Sequence, residues 1–147
     1  MALITQQAIA ADADSIQLRS LSSNQAKSWS RSESAGAELF LLFQDNCLSC
    51  RKQSKQLSCL ESEGVRIRFI AQNKSLKSLR EEAQRMGALD RAYAVSLDDL
   101  KKLQFTEPAT PQGLLFQGKK SVKWLGTKSC AEIREQLNRG SKVDEAA

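Results

Sequence analysis

The chain has 147 residues, 41% of them hydrophobic and 27% charged, which is enough for one globular domain with a core of its own and no need of disulfide staples. Its formal charge of +5 permits acidic partners, but the lysines and arginines are dispersed and no dense basic run is interleaved with aromatics, which argues against nucleic-acid binding. The sequence contains no histidine, so every mechanism that needs a histidine base and every zinc site that needs a histidine ligand is excluded.

Residues 1–14 are Ala- and Gln-rich without a periodic pattern and read as a mobile leader. Ala8-Ile9-Ala10 is only faintly like a signal cleavage site, because no basic residue precedes it and Gln6-Gln7 interrupts the apolar segment. No apolar stretch approaches the ~20 residues needed to span a bilayer. Residues 15–20 alternate polar and apolar, the period of a half-buried edge strand. Ser22, Ser23 and Asn24 are placed to cap a short helix carrying Ala26 and Trp29, and a polar linker follows from Ser30 to Gly36.

The apolar run at 38–43 predicts a buried strand, and Gln44-Asp45-Asn46 supplies a turn. With Asn46 as N-cap, a helix starts at Cys47 and runs to Gly64, with Cys47, Cys50, Ser54, Leu57 and Leu60 on its inner face. Cys47 then occupies the first turn, where unpaired N–H groups and the positive end of the helix dipole favour a thiolate. Arg51, Lys52 and Lys55 add positive charge on what base rates make a solvated face, and Asp45 opposes it. Cys47 is therefore the candidate nucleophile, exposed and lowered in pKa, and Cys50 the resolving thiol one turn deeper.

A β-branched run at 65–70 predicts the next strand, parallel to the first through a right-handed crossover. Leu76, Leu79, Ala83 and Met86 mark a helix over 75–86 that stops at Gly87, and a short strand follows at 91–95. Ser96-Leu97-Asp98-Asp99 resembles a capping box, and Pro108 and Pro111 exclude regular structure between them. Residues 112–116 and 121–125 form a hairpin. Ser129-Cys130-Ala131-Glu132 caps a last helix using Ile133 and Leu137 that ends at Gly140, leaving 15–139 as the folded domain and 140–147 as a disordered tail.

From about residue 15 to 138 this order of features resembles the thioredoxin-like superfamily of disulfide oxidoreductases. The residues that carry the resemblance are the buried strand entering Cys47-Leu48-Ser49-Cys50, the segment Leu103-Gln104-Phe105 leading to Thr110-Pro111 where that fold places a cis-proline, the hairpin after it and the closing helix. The helix and strand between Ile70 and Ser96 look like the central insertion of thioredoxin-like reductases that act outside the cytoplasm, including those of cytochrome c maturation. The resemblance implies an α/β fold with a mixed central sheet flanked by helices, and a cis bond at Pro111. It also implies that Thr110 and Pro111 flank Cys47 and pair with an extended partner strand. Asn46 stands where thioredoxins usually carry Trp, Leu48-Ser49 replaces Gly-Pro, and Leu41 occupies the position of their buried acid, so this is not a thioredoxin proper. Residues between the cysteines tune thiolate stability, and the direction of electron flow stays open.

The function so implied is protein disulfide oxidoreductase, with Cys47 and Cys50 catalytic and neither cofactor nor metal. It acts as a monomer on disulfide-containing or dithiol partner proteins, with a redox-recycling partner, without nucleic acid and without a membrane span in this chain. The resemblance favours a periplasmic or otherwise exported protein, with the cytoplasm as the alternative. Two other readings of the cysteines stay open: a non-catalytic thioredoxin-like binding module with a structural disulfide, and a structural zinc site completed by Cys59 and Cys130. At ~100° per residue, Cys59 falls half a turn from the core face and should be exposed, while Cys130 shares a stripe with Ile133 and Leu137 and should be buried. In the fold implied, the two lie near opposite poles, which predicts two free thiols.

Overall fold

The computed structural model describes residues 15–31, 36–105 and 109–146, with side chains as far as 138. The leader at 1–14, part of the linker at 30–36 and Pro108 lie outside the described residues. Seven strands form one mixed sheet: β1 (Ser15–Ser20), β2 (Ala26–Ser30), β3 (Glu38–Leu42), β4 (Arg66–Gln72), β5 (Ala92–Val95), β6 (Gln112–Gln117) and β7 (Lys120–Leu125), in the order β2-β1-β5-β4-β3-β6-β7. β3, β4 and β5 run parallel, and the remaining pairings are antiparallel.

The continuous apolar run of β3 is explained by burial on both faces of the sheet. Leu39, Leu41 and Phe43 enter one core with Cys50, Leu57, Leu79 and Ile133, whereas Phe40 and Leu42 enter another with Ile16, Trp29, Leu100 and Phe105. The first layer is built by α1 (Leu48–Gln56), α2 (Ser58–Ser62), α3 (Leu76–Arg85) and α5 (Cys130–Ala146), and the second by α4 (Leu97–Lys102). Between Ile70 and Ser96, α3 and a short 3-10 turn (Leu89–Arg91) deliver β5 to the middle of the sheet, between β4 and β1. Among the described residues no helix is long and apolar enough to cross a membrane.

Three expectations need correction. Ala26 and Trp29 lie on a strand and not on a capped helix. Asn24, at φ 62°, closes a tight turn with its N–H on Ser20 O, and the side chain of Trp29, opposite Ile16, meets Phe40 edge-on at 4.7 Å. An aromatic on a half-buried pleat outweighs the capping pattern upstream of it. The helix after Cys47 is also not continuous: α1 stops at a cap on Leu57 and α2 restarts at Ser58, before Gly64 at φ 92° turns the chain. At the other end, α5 continues through Gly140, since a glycine inside a helix costs only about 1 kcal/mol. The capping box at Ser129 forms, Ser129 and Glu132 bonding each other's backbone N–H at 3.2 and 3.1 Å, whereas Ser96 makes the N-cap half alone: Asp99 N–H bonds Ser96 Oγ at 3.1 Å, while Asp99 Oδ2 accepts the Gln17 N–H at 2.9 Å.

Candidate functional site

β3 carries the chain to the edge of the first layer, where Gln44, Asp45 and Asn46 are exposed and Asn46 turns it at φ 54°. Asparagine accepts that left-handed backbone with less strain than most residues, so the turn, and not the cap, is its role. The cap falls on Cys47, whose backbone is extended (φ −112°, ψ 92°) and whose Sγ accepts the Cys50 N–H at 3.1 Å. Cys47 and Cys50 are joined as a disulfide with Cα atoms 5.2 Å apart.

Cys50 is fully buried and Cys47 is 7% exposed, so the outer cysteine is less open than its place at a helix start suggests. Leu48 is 69% exposed, and Thr110 Oγ1 lies 3.8 Å from Cys47 Sγ, narrowing the approach from that side. The Thr110–Pro111 peptide bond is cis and leads directly into β6, and Pro111 O accepts the Gly126 N–H at 2.9 Å. A groove of about 280 Å³ starts at Thr110 and Asp45 and is walled by Phe43, Leu79, Leu97 and Phe105. Lys52 and Lys55 form the solvated face read from the sequence.

Two buried polar groups behind the cysteines escape a simple pattern reading. Gln53, one turn after Cys50, is fully buried: its Nε2 donates to Lys128 O and its Oε1 accepts Lys128 N–H, both at 2.7 Å, with the Trp124 indole N–H at 3.4 Å. The amide thus pairs with a whole peptide group of the segment that follows β7. Its signal was a polar residue at i+3 from Cys50, on the stripe that continues to Leu57 and Leu60. Glu82 is the second group. It lies between Leu79 and Met86 on the inward stripe of α3, is fully buried, and receives Arg51 Nε at 2.7 Å and Arg51 Nη2 at 2.9 Å. Arg51 is therefore not simply a solvated residue, but one arm of a two-pronged ion pair. Arg85 approaches Glu82 at 3.5 Å. Burial pushes the Glu82 carboxyl up, yet the Arg51 hydrogen bonds and charge, the Cys47 N–H and Arg85 together hold it below the usual carboxylate range.

Cys59 and Cys130 are not free thiols at opposite poles. They are joined as a second disulfide with Cα atoms 6.4 Å apart, and Cys59 is half-buried while Cys130 is buried. The reason is the path between β7 and α5. Gly126 sits beside Pro111, and the next residues run back along α1, where Gln53 holds Lys128, so α5 begins beside Gln56 O, 3.0 Å from Cys130 Sγ. The break at Leu57 then turns Cys59 towards α5. With the four cysteines paired two and two, they do not converge on a single metal centre.

No protein-family model and no curated protein matches the sequence. Solved structures do. A thiol:disulfide interchange protein of the thioredoxin family from Chlorobium tepidum superposes with a TM-score of 0.63 at 15% identity, over 86% of this chain and 93% of that one. The thioredoxin domain of a thiol-disulfide oxidoreductase from Bacteroides vulgatus gives 0.61 at 14% identity, over 86% and 93%. A secreted Mycobacterium tuberculosis disulfide oxidoreductase, homologous to E. coli DsbE, gives 0.59 at 12%, over 89% and 98%. Across these neighbours, and on the order of its strands and helices, the chain has the thioredoxin-like fold, with a Cys-x-x-Cys pair at the head of α1.

Proposed function

We propose that the protein is a thiol-disulfide oxidoreductase that exchanges disulfides with partner proteins through Cys47 and Cys50. The observation that carries this reading is the unequal setting of the two sulfurs. Cys47 Sγ lies at the rim of α1 with the Cys50 N–H aimed at it, and Cys50 is sealed beneath. A thiolate at Cys47 would meet both that N–H and the positive end of the helix.

In the reduced protein, Cys47 thiolate attacks one sulfur of a partner disulfide. A Cys47–partner S–S bond forms as the partner's own bond breaks, and its second sulfur leaves as a thiolate. Cys50, once deprotonated, attacks Cys47 Sγ, re-forms the Cys47–Cys50 bond and releases the first partner sulfur. Two electrons have then passed to the partner, and a dithiol reductant recycles the pair; the reverse sequence oxidises a partner dithiol. Thr110 and Pro111 would hold the partner's extended segment beside Cys47, with the apolar groove receiving side chains next to its cysteine. The chain works as a monomer in this reading. An oxidising compartment such as the periplasm suits a protein whose remaining two cysteines are also joined.

Cys50→Ser should accumulate mixed disulfides through Cys47, because attack survives and release does not, whereas Cys47→Ser should trap nothing. Equal trapping by both variants on a non-reducing gel would remove the assignment. The 7% exposure of Cys47 favours one other reading, a non-catalytic binding module with a structural disulfide. Catalysed reduction of insulin separates the two.

A further inference from the structure

A carboxylate buried directly behind a cysteine that must become an anion calls for an explanation. Glu82 reaches α1 from a different helix through Arg51, whose own backbone N–H bonds Cys47 O at 3.2 Å, and the Cys47 N–H, one of the unpaired donors that give a helix N-terminus its positive end, helps to hold the Glu82 carboxyl low. In the reduced protein the Cys47 thiolate and the Glu82 carboxylate would therefore share one region of positive potential, and each raises the cost of the other. Arg51 offsets this through its two bonds to Glu82, and it belongs to the same helix turn as Cys50. The charged groups facing Glu82 are Arg51 from α1 and Arg85 from its own helix.

Resting on the reading of Cys47 and Cys50 as the redox pair, we propose that Glu82 and Arg51 are positioning residues that set the thiolate equilibrium of Cys47 in opposite senses. Glu82 opposes negative charge on the Cys47 sulfur; Arg51, whose N–H bonds Cys47 O, cancels most of that opposition. The pair is close to neutral as a unit, so the two halves pull the dithiol–disulfide balance apart only when separated. A merely structural ion pair would behave differently, since loss of either partner would lower stability and leave the thiol chemistry without a preferred direction.

The test measures the Cys47–Cys50 equilibrium with glutathione, by mass spectrometry of the peptide carrying both cysteines, together with the pH midpoint of Cys47 alkylation in the reduced protein. Glu82→Gln should lower that midpoint and favour the dithiol by about tenfold, which for this two-electron couple is 29.6 mV more oxidising. Arg51→Met should move both readouts the other way. The double variant, neutral again, should return to within about twofold of the wild type, as should Arg51→Lys, which keeps the charge without the fork. If Glu82→Gln does not fold, the contrast between Arg51→Met and Arg51→Lys still decides the matter. Shifts of the same sign in Glu82→Gln and Arg51→Met, or equal behaviour of Arg51→Met and Arg51→Lys, overturn the inference. Insulin reduction by the wild type is scored separately: its absence removes the oxidoreductase reading, while active wild type with unmoved variants removes only the role given to Glu82 and Arg51.

Discussion

Replacing Gln53 by glutamate changes one NH2 group to an oxygen at a site with no exposure, and the structure dictates a pH-dependent result. The native amide donates to Lys128 O and accepts from Lys128 N–H, both at 2.7 Å. A carboxylate can keep the second bond but not the first, and it leaves Lys128 O facing a like partial charge. An uncompensated buried charge of this kind costs about 3–5 kcal/mol. A protonated carboxyl can still donate to Lys128 O, so folding should raise the pKa of the introduced group above its unfolded value of ~4.3. The sign follows from linkage. The stabilising contact is fully present below the unfolded pKa and is lost as pH rises through the folded pKa. Thermal unfolding of the oxidised Gln53→Glu protein, referred to wild type at the same pH, should therefore show a small deficit at pH 4 and a large one at pH 8. At about 3 °C per kcal/mol for a chain of this size, the pH 8 deficit is about 10–15 °C. Gln53→Ala serves as the control. It strands the Lys128 peptide group at every pH, costing about 1–3 kcal/mol for each unsatisfied group without a pH trend. An equal deficit for Gln53→Glu at pH 4 and pH 8 would refute the argument.

Gly113→Ala should destabilise by about 3 kcal/mol, because its new methyl would lie 2.0 to 2.4 Å from the Trp124 ring, and urea unfolding followed by tryptophan emission checks this. The Cys59→Ala/Cys130→Ala double variant loses a link spanning 71 residues, for which chain entropy predicts about 4 kcal/mol; a urea midpoint unchanged from wild type would show that the link contributes nothing. Non-reducing peptide mapping should find Cys59 joined to Cys130. Because Glu82 is held below the usual carboxylate range, the stability it supplies is present above the unfolded pKa and lost as pH falls through the folded one. The advantage of wild type over Glu82→Gln in urea should therefore shrink between pH 7 and pH 3, and an advantage that stays constant would contradict the ion pair.

The parts of the fold that sequence reasoning reaches are those where one local signal dominates. The uninterrupted apolar run at 39–43 has no stable place except a central strand, and the N-cap at Ser96 and the capping box at Ser129 are satisfied within four residues of chain. The Cys-x-x-Cys pair and the Thr110-Pro111 step belong to the same class. Signals fail where two compete: Ser22 to Asn24 can cap a helix or close a hairpin, and only the packing of Trp29 against Phe40 decides. They fail again where a segment without periodicity sets the geometry. The three residues 127–129 determine where α5 begins, and so whether Cys130 can meet Cys59. Glu82 and Gln53 were visible as polar residues on apolar stripes, yet their partners lie 31 and 75 positions away and are supplied by tertiary structure alone.

The two tryptophans of the chain stand in different layers. Trp29 packs with Phe40 and Phe116 on one face of the sheet, while Trp124 lies over Gly113 on the other, its indole N–H against Gln53. The molecule thus carries its own optical probe of the redox helix. In Trp29→Phe, emission would come from Trp124 alone, and any change of its intensity or wavelength on reduction would report on the turn of α1 immediately after Cys50. Stopped-flow fluorescence could then follow the opening and closing of the Cys47–Cys50 bond in real time, without an attached dye.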